Sequence, residues 1–147
     1  MPPIPYAEPA SDRSTNEYLL NLKTLRTNNN QNAGEQVTFA TSDTSPHIAV
    51  VVPIPVTPGQ GFNIEVEWFA RDTVTPTNNT GGRTLGVFYN NAGAAAQIGT
   101  AQNMGKAGQG GVAVDFTVTS TNVNVRTTGT ANLSEWTLQV YVYATAA

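Results

Sequence analysis

The chain predicts an all-β fold, an antiparallel β-sandwich of jelly-roll type preceded by an extended, Pro-rich N-terminal arm. Three observations carry that prediction. First, the last third alternates apolar and polar residues: Val112, Val114, Phe116 and Val118, then Val123 and Val125, then Trp136, Leu138, Val140, Val142 and Ala144. A period of two marks a strand with one face on a core. Second, Gly-, Pro- and Asn-rich breaks separate such runs at the spacing of a sandwich or jelly roll. Third, charged residues are only 12 % of the chain, about half the usual share of roughly 25 %. Thr, Asn, Gln, Ser and Gly replace them, as suits a neutral β surface or one that faces other protein.

At 147 residues the chain is long enough to bury a core as a single domain. Residues 1–16 hold four prolines and almost no alternation. Proline fixes φ and removes a donor, so this stretch reads as an extended arm. Its apolar anchors, with their flanking prolines, are Pro2, Ile4, Pro5 and Tyr6. The β domain then spans residues 17–147. Glu17 to Arg26 reads as a strand or an irregular lead-in, because a short apolar run cannot be typed by period alone. Asn28 to Glu35 reads as a polar loop.

Gln36 to Thr41 is a short strand, and His47 to Ile54 a buried one ended by Pro53 and Pro55, since proline cannot serve a central ladder. Thr57 to Gly61 is a turn. Phe62 to Arg71 puts Phe62, Ile64, Val66 and Trp68 on one side and Asn63, Glu65 and Glu67 on the other. Asp72 to Gly82 reads as an exposed polar loop, Arg83 to Asn90 as a strand, and Ala94 to Met104 as a weaker one. Gly105 to Gly111 reads as a glycine-rich hairpin loop. The last three strands read as a meander and complete a set of eight or nine. No internal repeat indicates a solenoid or propeller.

The residues offer no catalytic cluster. His47 is the sole histidine, no Gly-x-Ser-x-Gly elbow is present, and a nucleophilic triad has nowhere to assemble. No cysteine is present, and neither a thiolate nor a histidine metal site can form. The four aspartates are far apart in sequence, so no calcium loop is signalled. Glu65 and Glu67 share a strand face, and a pair of carboxylates can run glycoside hydrolysis, but on a polar strand face they read as a solvated stripe. Lys106 precedes most of its glycines, against the order of a phosphate-binding loop. The expectation is a non-enzyme without cofactor or metal.

The net charge of −3 and seven scattered basic residues exclude a phosphate-backbone footprint, so nucleic acid is not an expected partner. No apolar run approaches the roughly 20 residues that span a bilayer, and the first residues lack the pattern of a secretory signal. Synthesis in a bacterial cytoplasm is expected. Trp68 and Trp136 fall in phase with apolar faces and read as core. Tyr141 and Tyr143 fall on the opposite phase, beside Thr137 and Gln139. Two outward aromatics suit a sugar platform or a subunit interface, and the interface is the first reading.

The pieces Ile64–Arg71 (IEVEWFAR), Gly81-Gly82 before Leu85, Val123–Gly129 (VNVRTTG) and Trp136–Val142 (WTLQVYV) resemble a β domain of tailed-bacteriophage virion proteins. That domain occurs on fibres, head appendages and capsid decoration subunits. The resemblance covers roughly Gly61 to Thr145, and departs from the pattern where Arg126-Thr127 replaces a shorter Val-Thr-Gly step. It implies a jelly-roll-like domain that assembles on phage particles, commonly as a trimer. The function expected first is a capsid decoration (cement) protein on the outer capsid surface of the virion. It would bind the major capsid protein through the arm and itself through Tyr141 and Tyr143, as a homotrimer ahead of a dimer. The alternative is a receptor- or carbohydrate-binding module of a tail or head fibre, with the Asp72–Gly82 and Gly105–Gly111 loops facing the ligand.

Overall fold

Nine strands form two facing sheets in the computed structural model, which describes residues 23–24 and 32–144. The strands are β1 Lys23–Thr24, β2 Asn32–Thr41, β3 His47–Pro53, β4 Gly61–Asp72, β5 Thr80–Asn91, β6 Ala94–Ala107, β7 Ala113–Thr119, β8 Asn122–Thr128 and β9 Ser134–Ala144. One sheet runs β2-β9-β4-β5-β6 and the other β1-β3-β8-β7. Every pairing is antiparallel except that of β1 with β3. The expected arm, with Pro2, Ile4, Pro5 and Tyr6, lies outside the described residues, as does most of Glu17–Arg26.

The apolar phases read from the sequence are the inner faces. Phe62, Ile64, Val66 and Trp68 of β4 meet Leu138, Val140 and Val142 of β9 on the larger sheet, and all are buried. Val50 and Val52 of β3, Val114 of β7, and Val123 and Val125 of β8 close the core from the smaller sheet. Both tryptophans are buried with their indole N–H groups satisfied. Trp136 donates to Thr41 Oγ1 at 2.9 Å, and Trp68 to Thr84 Oγ1 at 3.1 Å. A buried indole otherwise leaves its donor unpaired at a cost of about 1–3 kcal/mol.

Four expectations about the elements change. The last three strands are not a meander: β7 and β8 form a hairpin, but β9 pairs with β2 and β4 in the other sheet. Apolar alternation shows that each strand has a core face, and strands side by side or face to face both satisfy it. Strand β2 starts at Asn32 rather than Gln36 because β9 is long enough to pair it throughout, from Asn32↔Tyr143 to Thr41↔Ser134. Gly81 and Gly82, placed in a loop by composition, lie in β5 opposite Phe69 and Trp68. The glycine-rich segment is a crossover between sheets rather than a hairpin, since β6 and β7 belong to different sheets.

Candidate functional site

Two regions were expected to make outside contacts: the loops, as the ligand face of the fibre-module alternative, and the outward aromatics of the last strand, read first as a subunit interface and second as a sugar platform. The structure commits the loops to architecture. Asp72, the final residue of β4, is buried. Its Oδ1 accepts the backbone N–H groups of Val74 and Thr75 at 2.9 and 2.8 Å. Its Oδ2 accepts Thr130 Oγ1 at 2.9 Å and Asn78 Nδ2 at 3.2 Å, and Asn132 Nδ2 lies 3.2 Å from both oxygens. One carboxylate thus ties the β4–β5 connection to the β8–β9 connection. The asparagines of both Asn-x-Ser/Thr sequences, Asn78 and Asn132, turn their amides inward to it. Gly108 closes the other loop against this clasp: its φ is +119°, and a Cβ there would lie 2.7 Å from Thr80 Cα.

These donors hold the Asp72 carboxyl well below its ordinary value of 3.8. The N–H of Thr75 is the largest cause, with Val74, Thr130 and Asn78 adding to it against the opposing effect of burial. A group with a depressed folded-state pKa contributes stability that is present above its unfolded value and is lost as pH falls towards the folded one. Asp72→Asn is therefore expected to lower the Tm at pH 7. The difference from the parent should shrink as pH drops below roughly 4. Thermal scans from pH 7 to pH 2.5 check this, and a difference constant across that range would contradict the charged clasp.

What remains exposed and chemically varied is the outer face of the five-stranded sheet. Because β9 and β4 alternate in phase, Tyr141 stands beside Glu65, Tyr143 beside Asn63, and Gln139 beside Glu67. The β4–β5 register continues these rows to Leu85, Val87 and Arg83 respectively. The rings of Tyr141 and Tyr143 stack along the strand, with centroids 6.4 Å apart and planes 21° from parallel. Tyr143 is 40 % exposed. Next to this pair, Arg83 donates from Nη2 to Glu67 Oε2 at 2.6 Å and forms an ion pair with Glu65, Nε to Oε2, at 3.0 Å. The hydrogen bond that Arg83 donates to Glu67, then the charges of both glutamates, raise the guanidinium above its ordinary value.

Beyond Arg83 the face opens into a depression of about 400 Å³, lined by Glu67, Trp68, Gly82, Arg83, Met104 and Gly105. Gly82 is in the core-facing phase of β5, opposite Trp68. A Cβ on Gly82 would lie 3.1 Å from Lys106 Cα and 3.3 Å from Trp68 Cζ2. Phe69, 46 % exposed, sits beside Gly81 on the same face. The outer face therefore presents an aromatic pair, a bridged carboxylate–guanidinium–carboxylate group and a shallow hollow, in that order across four strands.

The sequence reading placed Tyr141 and Tyr143 outward and Glu65 and Glu67 on one face, and the structure places them so. It missed Arg83 as the group that joins the two glutamates. The signal was present in the phase of Arg83 with Leu85, Val87 and Tyr89, but only the β4–β5 register brings it opposite Glu67. Arg71, further along β4, pairs with Glu135 at 2.6 Å. His47 pairs with Asp43 at 2.7 Å on an exposed turn. Among the described residues no three His, Asp or Glu side chains are grouped to hold a metal.

No protein-family model matches the chain, and no curated protein does. Among solved structures, it is similar to part of the tailspike protein of Acinetobacter baumannii phage AM24, at 8 % identity and a TM-score of 0.44 over 76 % of this chain and 26 % of that one. A second is the tailspike of Acinetobacter baumannii bacteriophage Fri1, described as a capsular polysaccharide depolymerase. There the identity is 10 % and the TM-score 0.41, over 78 % of this chain and 20 % of the tailspike. A third is the tailspike of Acinetobacter phage vB_ApiP_P1, at 16 % identity and a TM-score of 0.37, covering 78 % and 22 %. The chain spans about a quarter or less of each tailspike.

Proposed function

We propose that this chain is a carbohydrate-binding module of a phage tail or head fibre, with the outer face of the five-stranded sheet as its binding surface. The observation that carries the reading is the stacked Tyr141–Tyr143 pair next to the Glu65–Arg83–Glu67 group. Sugars present apolar C–H faces and a rim of hydroxyls, and aromatic rings flanked by fixed acceptors match both. The two ion pairs hold the glutamates in place, so little side-chain freedom is lost when a ligand lands. Within this reading the fold is of jelly-roll type, and the phage setting rests on the resemblance of Gly61–Thr145 to virion β domains. The capsid decoration role, placed first on sequence, depends on an arm outside the described residues, whereas the described residues supply a polar-aromatic face.

The role we assign is binding without hydrolysis. Glu65 and Glu67 bond to one guanidinium on an open face, whereas a glycosidase sets its two carboxyl groups on either side of the scissile bond. The test is an array of bacterial surface polysaccharides probed with the parent and with the Tyr141→Ala/Tyr143→Ala double variant. The parent should bind saturably. The variant should bind roughly 5- to 150-fold more weakly, as two aromatic contacts of about 0.5–1.5 kcal/mol each imply, with its Tm changed by only a few degrees. Undiminished binding by the variant would move the site elsewhere. Absence of glycan binding, together with saturable binding to undecorated phage heads, would restore the decoration role.

A further inference from the structure

We infer that this face selects uncharged polysaccharide over acidic polysaccharide. The inference rests on the carbohydrate-binding reading above and names the ligand class for the same surface. Among the described residues, the face carries three carboxylates, Glu65, Glu67 and Glu135, against two guanidiniums, Arg71 and Arg83. Both guanidiniums are already engaged: Arg83 with Glu65 and Glu67 at 3.0 and 2.6 Å, and Arg71 with Glu135 at 2.6 Å. Lys106, on the neighbouring edge strand, turns its amine to the Gly110 carbonyl at 2.8 Å.

Among the described residues, a uronate or sialate carboxylate arriving beside the tyrosines meets no cation that lacks a partner. At Arg83 it meets a guanidinium already paired with Glu65 and Glu67, and those two carboxylates repel it at close range. A hydroxyl faces the opposite situation. Arg83 faces Oε2 of both glutamates, which leaves Oε1 of each to accept a sugar O–H, and bonds to a charged acceptor are the stronger kind. The bridged group thus works as a pair of hydroxyl acceptors and as a screen against anions. Salt should affect the two classes differently, because only the repulsion of the acidic class is screened.

The experiment prints each acidic capsular polysaccharide beside its own carboxyl-reduced form, together with neutral polysaccharides, and measures binding of the whole chain to each. Carboxyl reduction removes the charge and keeps the linkages, so each pair isolates the charge. We expect at least about tenfold tighter binding to the reduced form of any polysaccharide that is recognised. The Glu67→Gln variant, which leaves Arg83 with one anionic partner, should cut that preference to threefold or less. Equal or tighter binding to acidic parents would overturn the inference while leaving the carbohydrate-binding reading intact. A preference unmoved by Glu67→Gln would overturn the assignment of selectivity to the bridged group. Absence of binding to every member would overturn both.

Discussion

Replacing Trp136 with Ala lowers the free energy of unfolding by about 3–5 kcal/mol, as expected for removing a large aromatic side chain from a core that cannot fully collapse. Trp136 is 1 % exposed and is in contact with both sides of its layer. Its ring stacks on Phe39 with centroids 6.1 Å apart and planes 5° from parallel, and lies 5.9 Å from Trp68. Truncation also removes the donor to Thr41 Oγ1 and leaves that buried hydroxyl unpaired, which adds to the cavity cost. Urea unfolding followed by far-UV circular dichroism measures the change. A loss under 1 kcal/mol would mean that the β2–β9 end of the sandwich does not hold the core as described.

Gly86→Ala is the second large effect, and it arises from too much volume rather than too little. Gly86 lies on the inner face of β5, where a Cβ would sit 2.7 Å from Phe88 Cζ and 2.8 Å from two atoms of the Phe116 ring. Phe116 comes from the opposite sheet and meets Phe88 edge-on at 5.4 Å and 80°. Glycine at position 86 is what lets the two sheets approach at this point. A methyl group there forces the rings apart, and overpacking of this kind typically costs about 1–3 kcal/mol. Denaturant unfolding of Gly86→Ala, Phe116→Leu and the double variant separates the causes. If the clash is the origin, the smaller side chain recovers part of the loss and the two changes couple. Strict additivity would refute it.

Much of the sandwich was legible because burial acts on alternation directly. Phe62, Ile64, Val66, Trp68, Leu138, Val140 and Val142 are buried in the phase the sequence assigns them, and the odd-numbered side of β9 faces outward as read. Sheet membership was not legible, since the period of a strand says nothing about which neighbour it pairs with. For the same reason β9 was placed beside β8, although it lies across the core from it. The site was half legible. The two tyrosines and two glutamates follow from phase alone, whereas Arg83 joins them only through the register of β4 with β5. Asp72 was hidden in a polar stretch that composition marks as an exposed tip. Its burial comes from donors 58 and 60 residues away in sequence, Thr130 and Asn132, which no local window contains.

The central claim is that ligand contact falls on the outer sheet face and not on the loops. Backbone amide chemical shifts of the full chain, followed while a neutral polysaccharide from the array is titrated in, test it most directly. The account predicts perturbations centred on Glu65, Glu67, Arg83, Tyr141 and Tyr143, fading towards β6, with the loops at 73–79 and 108–112 unmoved. Perturbations confined to those loops, with the tyrosine strand unchanged, would contradict it.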